Sequence, residues 1–292
     1  MSTAHEMDMA HVERFIAAQS AAATAQATQV ALRLRYRELR AAGSSLPSLS
    51  DVEFRCYSQN GEDGILLYLL SLLGTEHRRS VEICAGSGLE CNTANLIINH
   101  GWQGLLVDGD AAQIAQGKAF YAQCPTTRVS PPTLVSSWIT VENVGALLAE
   151  HRFGWDIDLL SLDLDGNDYW IWCALPDLRP RVVVLEFNAL LGPHESLSLP
   201  YDPTFQLDLS KPPYRCGASL TAFTRLAQSR GYRLVGLQSL GFNAFFVRDD
   251  LAPAGLPALT PEACFAQTER LRGWSQSWFD LMLEGDQRWE TV

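Results

Sequence analysis

Val81-Glu82-Ile83-Cys84-Ala85-Gly86-Ser87-Gly88 is the segment that decides the fold. It has the pattern of a short strand that ends in a turn of small residues, and a helical stretch follows it. Gly86 and Gly88 leave room for a ligand to approach the backbone, and the next helix begins with free N–H groups. The segment therefore predicts the ligand-binding end of an α/β sheet.

An acidic residue closes the next predicted strand. Asp108 stands 20 residues after Gly88, where a carboxylate accepts hydrogen bonds from ribose hydroxyls in nucleotide-binding sheets. The spacing predicts a cofactor that contains a nucleoside. The glycine turn lacks the third glycine of the dinucleotide fingerprint, and the chain has no Gly-Lys-Ser/Thr, so NAD and FAD are disfavoured and a P-loop is excluded.

Apolar runs alternate with helical stretches from Tyr57 onward. The predicted strands are Ser80–Cys84, Gly104–Asp108, Thr127–Val129, Asp158–Asp163, Arg181–Glu186, Tyr232–Gly236 and Asn243–Arg248. Several are apolar throughout, which is typical of strands buried on both faces of a mostly parallel sheet. The alternation predicts a Rossmann-like, doubly wound α/β fold, with the last two strands antiparallel at one edge of the sheet.

Three regions are predicted along the 292 residues: a helical extension (1–50), the α/β domain (51–250) and a helical tail (251–292). Within the domain, 189–217 is long for a connection and is predicted to form a lid. The net charge of −11 makes nucleic acid a poor candidate partner. Leu32–Arg37 is a local basic stretch, explained either as a binding patch or as one charged face of a helix.

The seven cysteines are irregularly spaced and include no Cys-x-x-Cys pair. They indicate neither a disulfide framework nor a structural zinc site, and we expect a reducing, cytoplasmic environment. The N-terminal residues contain no apolar signal core, and the apolar run Ile65–Leu73 is too short to cross a bilayer. No membrane partner is expected.

Four motifs follow one another in a recognisable order: Tyr57–Asp63, Glu82–Gly88 continued through Asn92-Thr93 to Gly101–Gly104, Leu162–Gly166, and Val184–Asn188. Together they resemble the FkbM-type methyltransferases, within the class I S-adenosylmethionine (SAM)-dependent methyltransferases. The resemblance implies a seven-stranded sheet, SAM as cofactor and methyl transfer, often to sugar hydroxyls. The cofactor-binding residues it implies are Gln59, Glu82, Gly86, Ser87, Gly88, Asp108 and Asp163.

Two departures from the family pattern leave the substrate open. Relatives tend to have Asp-x-Gly-Ala-Asn where this chain has Glu82–Gly86, and Glu-Pro where it has Asp108-Gly109. A ribose acceptor is retained in both cases.

Acidic residues follow two buried strands, in Asp163–Asp168 and in Glu186-Phe187-Asn188. That edge of an open α/β sheet is where ligands bind. In one interpretation Asp165, Glu186 and Asn188 hold Mg²⁺, which orients a hydroxyl and lowers its pKa. In a second, one carboxylate is the general base and the others hold substrate hydroxyls. In a third, the acids only cap the next helix.

The 189–217 insertion and one loop supply further candidates. His194 lies just past a strand end and is a candidate base or a surface residue. Tyr201 and Tyr214 are predicted to stack on the substrate, or else to pin the insertion down. Ser136–Trp138, after the third strand, are candidate adenine contacts.

The predicted function is O-methylation of a sugar or another small metabolite. The alternatives are N-methylation of a small molecule, a Rossmann-type oxidoreductase, and a non-catalytic scaffold with the same fold. The terminal helices are expected to cover the sheet or to form a homodimer.

Overall fold

The computed structural model describes residues 25–208, 210, 215–284 and 288–292. The helices are α1 (25–41), α2 (Leu49–Val52), α3 (Glu62–Leu73), α4 (Ala94–His100), α5 (Ala111–Gln123), α6 (Val144–Glu150), α7 (Asp168–Cys173), α8 (Leu220–Ser229), α9 (Pro261–Gln267) and α10 (Gln276–Leu283). The strands are β1 (Arg79–Ile83), β2 (Gln103–Asp108), β3 (Thr133–Ser136), β4 (Leu159–Leu162), β5 (Val182–Glu186), β6 (Leu197–Ser198), β7 (Tyr232–Leu237), β8 (Asn243–Arg248) and β9 (Glu290–Thr291). Two 3-10 helices cover Ala189–Leu191 and Glu269–Leu271.

Seven strands form one sheet in the order β3-β2-β1-β4-β5-β8-β7. β1 to β5 pair in parallel, and β8 runs antiparallel to both β5 and β7. The predicted fold class is confirmed, with the antiparallel strand one place in from the edge. The order changes direction between β1 and β4, so the carboxyl ends of these two strands flank the crevice where ligands bind in this class of sheet.

Burial on both faces explains the continuous apolar runs. On β5, Val183 and Leu185 belong to one hydrophobic cluster, whereas Val182 and Val184 belong to a second cluster across the sheet. All four side chains are fully buried, and each contributes about 1.5–3 kcal/mol through that burial. A sheet covered by helices on both faces presents its polar groups mainly where the strands end.

The third predicted strand, Thr127–Val129, is wrong. The Thr127 hydroxyl donates to the Tyr121 carbonyl at 2.8 Å, and the Arg128 amide donates to the Cys124 carbonyl at 2.9 Å. These bonds make the segment a turn at the end of α5, with Val129 exposed. The third strand of the sheet is β3, a few residues later.

The terminal regions pack on the sheet domain. α1 contributes Tyr36, whose ring meets that of Tyr68 edge-on at 4.9 Å, and α9 buries Cys264 and Phe265 in the core. The tail, predicted as one helical stretch, is divided into α9, a 3-10 helix and α10, and β9 pairs with β6 of the insertion. All seven cysteines lie within the described residues, and two of them, Cys91 and Cys264, are buried. Within the described residues, every helix is too short or too polar to cross a membrane.

Candidate active site

A cavity of about 440 Å³ lies at the carboxyl edge of the sheet, beside the crevice between β1 and β4. Its lining comes from the loops after β1, β2, β3 and β4 and from the insertion. The lining residues are Cys84, Val107, Asp108, Gly109, Asp110, Ser137, Trp138, Ile139, Leu164, Asp165, Asn167, Phe205, Gln206 and Leu207. The loop after β3, a candidate adenine contact, thus reaches the cavity through Ser137 and Trp138.

The glycine turn and the acid of the second strand are joined directly. The Gly86 amide donates to Asp108 Oδ2 at 2.7 Å, and the Asp110 amide donates to Asp108 Oδ1 at 2.8 Å. Gly86 has a left-handed φ of +56° and open space where a Cβ would lie. Each Asp108 oxygen keeps a lone pair for a further donor, so the carboxylate is fixed in place and still able to bind a ribose hydroxyl.

The other two residues of the turn, Ser87 and Gly88, pack inward. A Cβ on Gly88 would lie 2.5 Å from Leu106 Cδ1, and a Cβ on Gly117 of α5 would lie 2.2 Å from the Ser87 carbonyl. Neither Ser87 nor Gly88 lines the cavity. The left-handed φ of +69° and the close approach of Leu106 on β2, rather than a ligand, explain why Gly88 is a glycine.

Glu82 caps the helix that follows the turn. Its carboxylate accepts hydrogen bonds from the amides of Asn92 and Thr93, both at 2.8 Å, and from the Thr93 hydroxyl at 2.6 Å. The Glu82 side chain is buried. The structure therefore shows a helix cap at Glu82, where a cofactor contact was predicted. A negative charge stands at the start of α4, where dinucleotide-binding folds hold a phosphate. Gln59, also predicted to bind the cofactor, is exposed and does not line the cavity.

Three carboxylates meet next to the cavity. Asp163, Asp165 and Glu186 each place an oxygen within 4.8 Å of the others. Asp163 and Glu186 share a hydrogen bond, and burial, followed by the charge of Asp163, raises the pKa of Glu186. Burial likewise raises the pKa of Asp163. Because two carboxylates in contact cannot both stay charged at low cost, this pair retains a proton.

Asp168 is a buried carboxylate near the cluster. Its Oδ1 accepts a hydrogen bond from the Leu164 amide at 2.7 Å, while Oδ2 is buried with no hydrogen-bond donor. Burial, followed by the charge of Asp163, raises the pKa of Asp168 to about 7. Asp168 therefore stabilises the turn after β4. It does not cap α7, because the N-cap residue of that helix is Asn167.

Asp165 is the member of the cluster that opens into the cavity. Its φ is +60°, a left-handed conformation that is uncommon outside glycine. The side chain is exposed to the cavity, and partial burial raises the pKa of its carboxyl. A carboxylate with a raised pKa and access to a ligand has the properties of a general base.

Asn188 stands two residues after Glu186. Its Oδ1 accepts from the Leu190 amide at 3.0 Å, and its Nδ2 donates to the Cys216 carbonyl at 2.9 Å. It thereby caps the 3-10 helix that begins the insertion. Of the predicted trio of Asp165, Glu186 and Asn188, the structure brings the first two together with Asp163, and a ligand role for Asn188 stays a prediction.

His194 is also placed away from the cavity. Its side chain is 60% exposed, with Nδ1 3.7 Å from Glu262 Oε1, and its ring meets that of Trp274 at 6.0 Å. The insertion turns toward α9 at this point and carries the imidazole with it. The prediction of His194 as a catalytic base is wrong on this geometry.

The insertion is fastened over the cavity by three side-chain bonds. Trp138 Nε1 donates to the Pro203 carbonyl at 2.7 Å, Asn167 Nδ2 to the Asp202 carbonyl at 2.8 Å, and the Tyr201 hydroxyl to Glu142 Oε2 at 2.8 Å. Tyr201 therefore pins the insertion down, which is the second of the two roles predicted for it, and it does not line the cavity. Tyr214 lies outside the described residues.

Phe205 was not among the predicted site residues, yet the insertion places it at the cavity together with Gln206 and Leu207. A Cβ on Gly166 would lie 2.3 Å from the Phe205 ring, so this glycine admits the ring. The signal in the sequence was an aromatic residue between the polar Thr204 and Gln206, together with the glycine after Asp165.

No protein-family model matches the chain, and no curated protein matches it. Among solved structures, the chain is similar to an O-methyltransferase from Bacillus cereus bound to S-adenosylhomocysteine (SAH), with 11% identity, 73% of this chain and 88% of that chain covered, and a TM-score of 0.43. It is similar to the glycopeptide N-methyltransferase MtfA bound to SAH (13% identity, 68% and 95% covered, TM-score 0.41). A SAM-dependent methyltransferase from Clostridium acetobutylicum gives 10% identity, 63% and 89% covered, and a TM-score of 0.40. These likenesses are too distant to assign a substrate or a family.

Proposed function

We propose that this protein is a SAM-dependent methyltransferase that methylates a hydroxyl group of a small molecule. One observation carries the proposal. At the crevice of a doubly wound sheet, a fixed ribose-type acid, Asp108, stands at the same cavity as Asp165 and its carboxylate cluster. The phosphate-binding position at the start of α4 is at the same time taken by Glu82.

The charge of the cavity favours a cationic cofactor. SAM carries a positive sulfonium and an ammonium group, which carboxylates at short range attract. A dinucleotide would instead bring its pyrophosphate toward Asp165 and the carboxylate of Glu82. The same charges that suit SAM therefore oppose NAD and FAD, whose phosphates need the free amides of a helix start.

The acids also fit the chemistry of the acceptor. Attack on the SAM methyl requires an aligned nucleophile, and a hydroxyl must lose its proton in the reaction. Asp165 opens into the cavity and is placed to accept that proton. The proton retained by Asp163 and Glu186 holds the two carboxyls together, and their remaining oxygens can accept a hydrogen bond from a second hydroxyl of the substrate. A neutral amine can attack SAM without first losing a proton to a base. A base beside a hydrogen-bonding pair therefore favours a hydroxyl acceptor.

The insertion completes the site by covering it. Phe205 and Trp138 place aromatic surface at the cavity, and the bond from Trp138 to Pro203 holds the two sides together. Excluding water strengthens the electrostatic interactions within the site.

A divalent cation is the second candidate arrangement, favoured by the 4.8 Å spacing of the carboxylate oxygens. Hard cations such as Mg²⁺ take oxygen ligands, and Asp163, Asp165 and Glu186 supply three. A cation bound there would supply positive charge that lowers the pKa of a nearby hydroxyl.

Calorimetric titration of the full chain with SAM, SAH and NAD tests the cofactor. We expect SAM and SAH to bind at one site and NAD to show no saturable heat; failure of both SAM and SAH to bind removes the proposal. Methyl transfer from labelled SAM to matched hydroxyl and amine acceptors then tests the reaction, and labelling of amines alone contradicts it. Loss of activity in EDTA with recovery on Mg²⁺ selects the cation arrangement, and full activity in EDTA rejects it.

A further inference from the structure

A basic recess lies at the other end of the sheet. Its basic side chains are Arg33 and Arg37 of α1 and Arg78 just before β1. The rest of its lining is Leu67, Leu70, Ser71, Thr75, Leu96, His100 and Trp102. Arg78 and Trp102 directly precede the amino ends of β1 and β2, whereas the cavity described above lies at the carboxyl ends. The recess is thus separate from the proposed methyl-transfer site.

The three guanidinium groups of the recess have no acidic partner among the described residues. The ion pairs of that part of the chain involve other arginines and histidines, including Arg35 with Glu38 on the same helix. Arg33 Nε is buried and donates to no acceptor. Three neighbouring arginines without an acidic partner stand out in a chain with 33 acidic and 22 basic residues, because like charges at short range repel one another.

The charges acting within the recess are all positive. Burial, followed by the charges of Arg37 and Arg78, lowers the pKa of Arg33. Burial, followed by Arg33 and Arg78, lowers the pKa of His100 to about 4, so this imidazole is neutral near pH 7. His100 Nε2 lies 2.7 Å from Gln29 Oε1. The recess therefore concentrates uncompensated positive charge on three arginines.

Arg78 is held at the recess by a rigid loop. The fully buried Asp158 accepts hydrogen bonds from the amides of Glu76 and His77, both at 2.9 Å, and from the amide of Arg78 itself. Asp158 is in turn paired with Arg181 at 2.9 Å. Arg78 has a left-handed φ of 52° in this loop. The backbone that presents its guanidinium is thus fixed by a buried carboxylate.

We propose that this recess binds the phosphate group of a small soluble ligand. Its volume of about 20 Å³ admits roughly one water-sized group, so one phosphate oxygen enters toward Arg33 and the others remain beside Arg37 and Arg78. Guanidinium groups match phosphate oxygens in charge and in hydrogen-bond geometry, and paired hydrogen bonds from Arg are among the strong ones. The proposal is independent of the methyltransferase assignment.

Calorimetric titration of the full chain with inorganic phosphate, glycerol phosphate and acetate, at matched ionic strength in NaCl, tests the site. We expect saturable binding of a phosphate compound with one site and at least tenfold weaker binding of acetate. Arg37→Gln, a change at an exposed position, is expected to weaken phosphate binding at least tenfold. Arg35→Gln removes the same charge from the same helix outside the recess and is expected to leave the affinity unchanged within twofold.

The outcomes separate the sources of phosphate and the alternatives. Tighter binding of glycerol phosphate assigns the site to a phosphate ester, and tighter binding of inorganic phosphate assigns it to the free ion; both support the proposal. It is overturned if phosphate gives no more heat than NaCl, if acetate binds as well as phosphate, or if Arg35→Gln weakens binding as much as Arg37→Gln. Matching circular dichroism spectra of the variants and the wild type exclude misfolding as the cause.

Discussion

Asp108→Asn is the substitution that bears most directly on the cofactor site. The carboxylate accepts one hydrogen bond on each oxygen, from Gly86 at 2.7 Å and from Asp110 at 2.8 Å. An amide group keeps only one acceptor oxygen, so its NH₂ must face one of these N–H donors or turn away from it. The variant also loses one charged acceptor for the ribose. Hydrogen bonds to charged groups are worth about 1.5–3 kcal/mol, so we expect SAM to bind about 10- to 150-fold more weakly.

Calorimetry with SAH measures this change without turnover, and Asp110→Asn is its matched control. Asp110 lies at the same cavity, and its Oδ1 caps α5 by accepting from the Ala112 amide at 2.7 Å. Asn caps a helix about as well as Asp, so the control changes the charge equally while keeping its local role. We expect its affinity for SAH to stay within about threefold of the wild type. If the two substitutions weakened SAH binding equally, only the overall charge would matter, and a direct hydrogen bond between Asp108 and the ribose would be refuted.

Three further changes test other parts of the account. Burial raises the native pKa of Asp168 from 3.8 to about 7, so the native state binds that proton more tightly and the stability of the wild type falls as the pH rises between these values. In urea unfolding with EDTA present, Asp168→Asn should gain up to about 4 kcal/mol of stability above pH 7 and little below about pH 4. A gain in stability that is independent of pH would contradict this. Tyr201→Phe removes the hydroxyl that bonds Glu142 and should raise the Kd for SAH about three- to tenfold; unchanged binding would show that the insertion does not need this fastening. His194→Ala should leave kcat within about twofold, because the exposed side chain lies outside the cavity, and a large loss in a folded variant would restore it as a catalytic candidate.

The fold was predictable because its strongest signals are local. Continuous apolar runs such as Arg181–Glu186 and Asn243–Arg248 match strands closely, since burial on both faces selects such residues. Thr127–Val129 misled the prediction because its residue types favour strands while its hydrogen bonds to Tyr121 and Cys124 close a helix. The strand propensity of a residue contains no information about the hydrogen bonds that a turn makes to the preceding helix.

The candidate site was predictable where residues lie at strand ends. Asp108, Asp165 and Glu186 come together because neighbouring parallel strands end at one edge of the sheet. The sequence could not decide between the candidate roles of His194 and Tyr201, because the path of a long insertion depends on partners distant in sequence, here Glu262 and Glu142. No periodicity in the sequence encodes those contacts.

The role predicted for Glu82 differs from the structure for another reason. An acid at the end of the first strand was expected to contact the cofactor, yet its oxygens are engaged by Asn92 and Thr93. The sequence placed the carboxylate at the correct turn but could not distinguish a ligand contact from a helix cap. The distinction matters, because the cap is what disfavours a phosphate at the start of α4.

A crystal structure of the protein with SAH tests the central claim most directly. The account predicts the ribose hydroxyls within hydrogen-bond distance of the Asp108 carboxylate, the adenine beside Trp138, and the sulfur facing Asp165. Electron density for SAH at another surface, or a ribose directed away from Asp108, would contradict it.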